Sequence, residues 1–106
     1  MADMTHEARE LHLFISNDAE TWRQCEAYFR ALERHKAKGA YDSSRAASSS
    51  TMKAMLRDAA KSYGRQHSTG DGLSLFSPAC RDEAAAAIIA DFDCEYESGN
   101  RWTVAV

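Results

Sequence analysis

The chain has little of what interrupts helices, with one proline and five glycines among 106 residues. That scarcity excludes collagen-like and low-complexity architectures and leaves room for long helices. Long apolar runs are missing too. The longest, Ala84 to Ala90, falls far short of the roughly 20 residues a membrane span needs, and the opening Met-Ala-Asp-Met-Thr has neither the basic nor the apolar region of a signal peptide. The expected place of the protein is the cytoplasm, with no membrane partner. Cysteine is sparse as well: Cys25, Cys80 and Cys94 are odd in number, widely spaced and set in apolar contexts. They predict three buried, reduced thiols rather than a disulfide framework or a zinc knuckle.

The usual marks of catalysis are also missing. Nucleophilic catalysis needs a Ser or Cys on a strained turn with a base in reach, and the chain has no Gly-x-Ser-x-Gly elbow. Thr69-Gly70-Asp71-Gly72 lacks the Lys and Ser or Thr that complete a phosphate-binding loop. Asp71 is followed by Leu73 and Leu75 where a calcium loop would place oxygen ligands. His6, His12, His35 and His67 have no histidine or cysteine partner one helical turn away, so a metal site would need a coincidence of the fold. Asp91 and Glu95 share a helix face, but carboxylates one turn apart on an acidic helix are usually a solvated pair. The expectation is a protein without enzymatic activity, metal or cofactor that works by binding.

What is present is a globular composition, 44% hydrophobic, with a length that fits one domain over residues 1–106. Met4, Ala8, Leu11, Ile15, Asp18, Trp22, Cys25, Phe29 and Leu32 step by fours and threes, the spacing of one apolar helical stripe interrupted only by Asp18. With Thr5 as its start and Gly39 as its stop, this predicts one long N-terminal helix, unless Asn17-Asp18 ends one helix and caps the next. Asp42 starts a second helix that carries Met52, Met55, Leu56, Ala59 and Tyr63 on one face and stops at Gly64; Ser48, Ser49 and Ser50 weaken its first half. Ser77-Pro78 starts a third, whose apolar contacts come from Leu75, Phe76, Ala85, Ile88, Ile89 and Phe92 and which ends at Gly99. The fold class is therefore all-α, with the long helix and two others in a compact antiparallel arrangement. The tail from Trp102 to Val106 is apolar enough to dock on this body or to pair as a short strand.

Charge is segregated along the chain. Residues 1–20 carry one Arg against five acids, residues 21–70 ten Lys or Arg against four, and residues 71–106 two Arg against seven. The basic middle holds two rows. Lys53, Arg57, Lys61 and Arg65 are spaced by four on the second helix, opposite its apolar face; Arg23, Arg30, Arg34 and Lys38 run along the long helix, away from Trp22, Cys25 and Phe29. Two such rows on adjacent helices would follow a phosphate backbone, and Tyr28 and Tyr41 lie close enough to stack on unpaired bases. Charged rows are most often the wet faces of amphipathic helices, and Tyr41 beside a glycine turn more often packs over a helix end; both alternatives stand.

The strings Leu13-Phe14-Ile15-Ser16-Asn17-Asp18 with Trp22-Arg23-Gln24, Lys38-Gly39-Ala40-Tyr41-Asp42, and Ala59-Ala60-Lys61-Ser62-Tyr63-Gly64-Arg65-Gln66-His67, joined later by Phe76, Arg81 and Ala84 to Phe92, resemble a group of small phage and prophage proteins. The likeness spans roughly residues 8 to 97. Within that group the chain looks like an anti-CRISPR protein directed at a type I, Cascade-using system. Anti-CRISPR proteins share no motif, so the resemblance implies a class and no site residue: a stoichiometric inhibitor that binds Cas subunits or the single-stranded DNA or guide RNA they handle. The sequence leaves the oligomeric state open, with a monomer slightly favoured. A phage structural or regulatory interaction module without nucleic-acid contact is the alternative. An enzyme built from scattered polar residues is the remaining one.

Overall fold

The computed structural model describes residues 4–67, 70–99 and 102. The first helix, α1 (His6–Asn17), begins where the Thr5 hydroxyl accepts the Ala8 amide. It ends at Asp18, which leaves helical geometry and starts α2 (Ala19–Ala37). The single long helix is thus two. The cause is the polar residue in the stripe: Asp18 Oδ2 accepts the Thr21 amide at 3.1 Å and the Thr21 hydroxyl at 2.7 Å, and Oδ1 accepts Gln66 Nε2 at 3.2 Å. Capping keeps the carboxylate hydrogen-bonded at a helix end rather than stranded beside the core. The stripe nevertheless continues across the break, with Ala8, Leu11, Ile15, Cys25, Phe29 and Leu32 all buried.

Those hydrogen bonds, the Thr21 hydroxyl first and Gln66 next, hold the Asp18 carboxyl below its ordinary value. A depressed folded value means that the carboxylate's contribution is whole above the ordinary value of 3.8 and is lost as pH falls through the lower folded one. Asp18→Asn is expected to cost about 1 kcal/mol near neutral pH. In urea unfolding followed by circular dichroism, the gap between parent and variant should narrow below about pH 4. A gap that is constant with pH would sever the cap from the ionised carboxylate.

α2 closes at Gly39, whose φ of 73° lies in the left-handed region that glycine adopts without steric cost. The Ala40 amide reaches back to His35 O and the Gly39 amide to Lys36 O, which satisfies the last carbonyls. The second expected helix also divides, into α3 (Ser43–Ser48), capped by Asp42, and α4 (Ser50–His67). At the joint, the Ser49 hydroxyl accepts the Met52 amide at 3.1 Å. A serine there caps a helix better than it continues one.

Gly64 does not stop α4, which runs on to His67. The glycine is buried because the backbone of residues 70–72 lies against it: a Cβ there would come within 2.6 Å of Gly70 O and 2.7 Å of Gly72 N. The segment it accommodates leads into α5 (Gly72–Leu75), a single turn capped by Asp71. Leu75, expected in the core, is exposed, while Phe76 is buried.

The last helix, α6 (Pro78–Glu97), starts as its sequence predicts, with the Ser77 hydroxyl accepting the Cys80 amide and proline in the first turn. It packs against α1, α3 and α4. Contact on three sides explains its composition. Ala84, Ala85, Ile88, Ile89 and Phe92 are buried, and the short alanines let neighbouring helices approach closely. Phe92 joins α6 to α2 through Phe29, ring centroids 5.2 Å apart, and Trp102 closes the cluster at 5.0 Å from Phe29 and 5.2 Å from Phe92. Of the tail, Trp102 docks on the body, and its amide donates to Glu33 Oε1; residues 103–106, on which the choice between docking and a short strand also turns, lie outside the described residues. Among the described residues there is no strand, and no helix is long and apolar enough to cross a membrane.

Candidate nucleic-acid interface

Cations spaced by four do not keep to one line on a helix, because each step overshoots a full turn by about 40°. From Lys53 to Arg65 the row therefore winds about a third of the way round α4. At one end, Lys53 and Arg57 line the groove between α4 and α6, where Arg81 joins them above Leu56, Pro78 and Ala85. At the other, Lys61 and Arg65 line the groove between α4 and α2, beside Gln24, Asp58 and Glu20. All four row residues are exposed. The ion pairs among the described residues are His6–Glu10, His12–Asp91 and Lys36–Asp93, so none of these four is in an ion pair with a described carboxylate, although Asp58 and Glu20 share the groove of Lys61 and Arg65.

The second row is placed differently. Arg23 and Arg34 are exposed on α2, but Arg30 is half-buried, with Nη1 3.5 Å from the Trp102 carbonyl oxygen. The side of α2 turned towards α4 carries Gln24, Ala27, Tyr28 and Ala31, which form a wide, shallow groove with Thr51, Ala54 and Met55. A mainly apolar strip, with Gln24, Thr51 and Asp58 also in its lining, thus lies between the two rows, although their helices are in contact. Lys38 is exposed at the end of α2.

Of the two tyrosines, Tyr28 borders the α2–α4 groove. Its hydroxyl donates to Ala46 O at 3.0 Å and lies 2.7 Å from Ser49 Oγ, which fixes the ring along the α2–α4 groove. Tyr41 is used inside the fold: its hydroxyl donates to Asp93 Oδ1 at 2.7 Å, its ring lies against Phe92, and Lys36 Nζ sits 4.9 Å from its centroid. Burial, then the hydrogen bond to Asp93, pushes its phenol well above the usual range. The packing role over a helix end is the one it fills.

The acidic helix is equally committed to the fold. Asp91 lies 2.7 Å from His12 Nε2, and Asp93 meets both Tyr41 and Lys36. No three His, Cys, Asp or Glu side chains among the described residues are grouped to hold a metal ion. Cys25 and Cys80 are buried; burial pushes the Cys25 thiol up to about 12 and raises that of Cys80. Cys94 departs from expectation and is exposed, on a groove that it lines with Trp22, Glu26 and Trp102.

Arg81 is the groove residue that the sequence conceals. It stands alone on an otherwise acidic helix, and only the contact of α6 with α4 brings it to Lys53 and Arg57. No protein-family model matches the chain, and neither a curated protein nor a solved structure does.

Proposed function

We propose that this chain is a non-enzymatic anti-CRISPR inhibitor of a type I system that acts by stoichiometric binding, with the basic row of α4 as its contact for single-stranded DNA. The nucleic-acid part is carried by one observation. Lys53, Arg57, Lys61 and Arg65 are all exposed, and none is held by a carboxylate among the described residues. Arg65 donates to the Ser62 hydroxyl, a neutral partner, and cations not paired with a carboxylate keep their charge for phosphates. The CRISPR part rests on the likeness of residues 13–18, 38–42 and 59–67 to phage and prophage proteins, and the cytoplasm of an infected bacterial cell is where such an inhibitor would work.

The test is affinity for a single-stranded oligonucleotide across a salt series. For the parent, affinity should fall steeply as salt rises, because bound phosphates release counterions. The variant Lys53→Glu, Arg57→Glu should bind on the order of a hundredfold more weakly at low salt, with a log–log slope smaller by about 0.7 for each lost phosphate contact. Both positions are exposed, so its melting temperature should match the parent's to within small surface effects. Equal affinity of parent and variant would remove the α4 row from the reading. Phage plaquing with and without an active type I system tests the inhibitor assignment separately.

A second reading, a phage structural or regulatory module that binds protein alone, is favoured by the shallow groove of Ala27, Tyr28, Ala31, Ala54 and Met55. Apolar surface of that kind suits a partner's side chains better than a phosphate backbone. Unchanged plaquing combined with no binding of oligonucleotide would make it the preferred one.

A further inference from the structure

The groove between α4 and α6 encloses about 200 Å³. Sites that hold a whole small molecule usually occupy roughly 300–1,000 Å³, so this one fits part of a larger ligand. Its chemistry is divided. Lys53, Arg57 and Arg81 supply positive charge from two helices, while Pro78 supplies exposed apolar surface and the buried Leu56 and Ala85 close the bottom. Asp82 is the one acid that borders it, and it is exposed, where water and salt screen its charge. Arg81 is half-buried and takes part in none of the ion pairs among the described residues. A planar guanidinium held in that setting offers paired donors to an oxyanion, which a lysine does not.

We propose that this groove is a phosphate seat, with Arg81 as its third cation, and that it takes one phosphodiester of a bound single strand while the adjoining sugar rests on Pro78. The proposal builds on the nucleic-acid reading above and gives the strand a path. The α4 row winds from this groove to the α4–α2 groove, and Lys53 to Arg65 spans about 18 Å along the helix axis. A strand seated at Arg81 therefore crosses α4 obliquely, passing Lys53 and Arg57 before Lys61 and Arg65. Such a track covers a few nucleotides.

The experiment compares the parent with Arg81→Ala, Arg81→Lys and the double variant Lys53→Glu, Arg57→Glu, using one oligonucleotide with and without a 5′-phosphate across a salt series. Arg9→Ala, an exposed cation on α1 outside both grooves, is the control. Arg81→Ala is expected to weaken both oligonucleotides about tenfold and to reduce the slope by about 0.7. Arg81→Lys should keep the slope and lose part of the affinity. A loss confined to the 5′-phosphorylated strand also supports the seat and identifies its occupant as the terminal phosphate. If Arg81→Ala behaves like Arg9→Ala while the double variant is weakened, the seat is overturned and the α4 row stands. If the double variant also binds like the parent, the row and the seat fall together. Melting curves guard against misfolding, and because Arg81→Lys retains the charge, a loss it shares fully with Arg81→Ala, slope included, would point to packing and overturn the seat.

Discussion

Truncation of Phe29 to alanine is expected to destabilise the protein by about 3–5 kcal/mol, the range for removing a buried aromatic ring. Phe29 is 1% exposed and meets Trp22 at 5.9 Å, Phe92 at 5.2 Å and Trp102 at 5.0 Å between centroids. Those three neighbours come from α2 itself, from α6 and from beyond α6, and they cannot close the gap together without moving a helix. Against a total stability of about 5–15 kcal/mol for an ordinary domain, the loss is a large fraction. Urea unfolding of the variant should give a lower midpoint with an unchanged slope. A loss under about 1 kcal/mol would mean that this cluster is not where the core is held.

The next largest effect is expected at Gly72. A Cβ on this residue would run into the carbonyl carbon and oxygen of Ala60, which belong to the backbone of α4 and cannot rotate away. Gly72→Ala must therefore push α5 off α4, and a cost of about 2–3 kcal/mol is expected, at the upper end for overpacking. Gly70→Ala makes the comparison: its φ of 85° is unfavourable for alanine, but nothing lies within 4 Å of its Cβ position, so only about 1–2 kcal/mol of backbone strain applies. Thermal melts of the two variants should rank accordingly. Because the obstacle is backbone, adding Ala60→Gly to Gly72→Ala should not restore stability; restoration would place the clash in the Ala60 side chain instead.

Local physics made much of this fold legible in the sequence. Thr5, Asp42 and Ser77 cap the helices that their positions predict, and the apolar spacing from Ala8 to Leu32 marks buried residues through a break in the helix. The breaks themselves were harder to read. At Asp18 both outcomes satisfy the same periodicity, and what separates them is a pair of hydrogen bonds from Thr21 together with one from Gln66, 48 residues away. Gly64 looked like a stop because glycine commonly ends helices, whereas its purpose is to admit the backbone of residues 70–72. The cation row of α4 could be read from spacing alone, but its division between two grooves depends on where α2 and α6 lie. Arg81 carried no signal, since its meaning comes wholly from a neighbour in space.

The position of α6 has a consequence for synthesis. It is the last of the helices and the one on which α1, α3 and α4 pack. As the chain leaves the ribosome from its N-terminus, Leu11, Phe29 and Leu56 emerge well before the surface that will cover them. Short-range turns can form in that interval, but the contacts that join α1 to α6 span most of the chain and wait for the final residues, as pairings with large sequence separation do. A ribosome stalled before residue 78 would therefore hold a nascent chain with its apolar stripes open to water, a target for chaperones and proteases rather than a partly folded body.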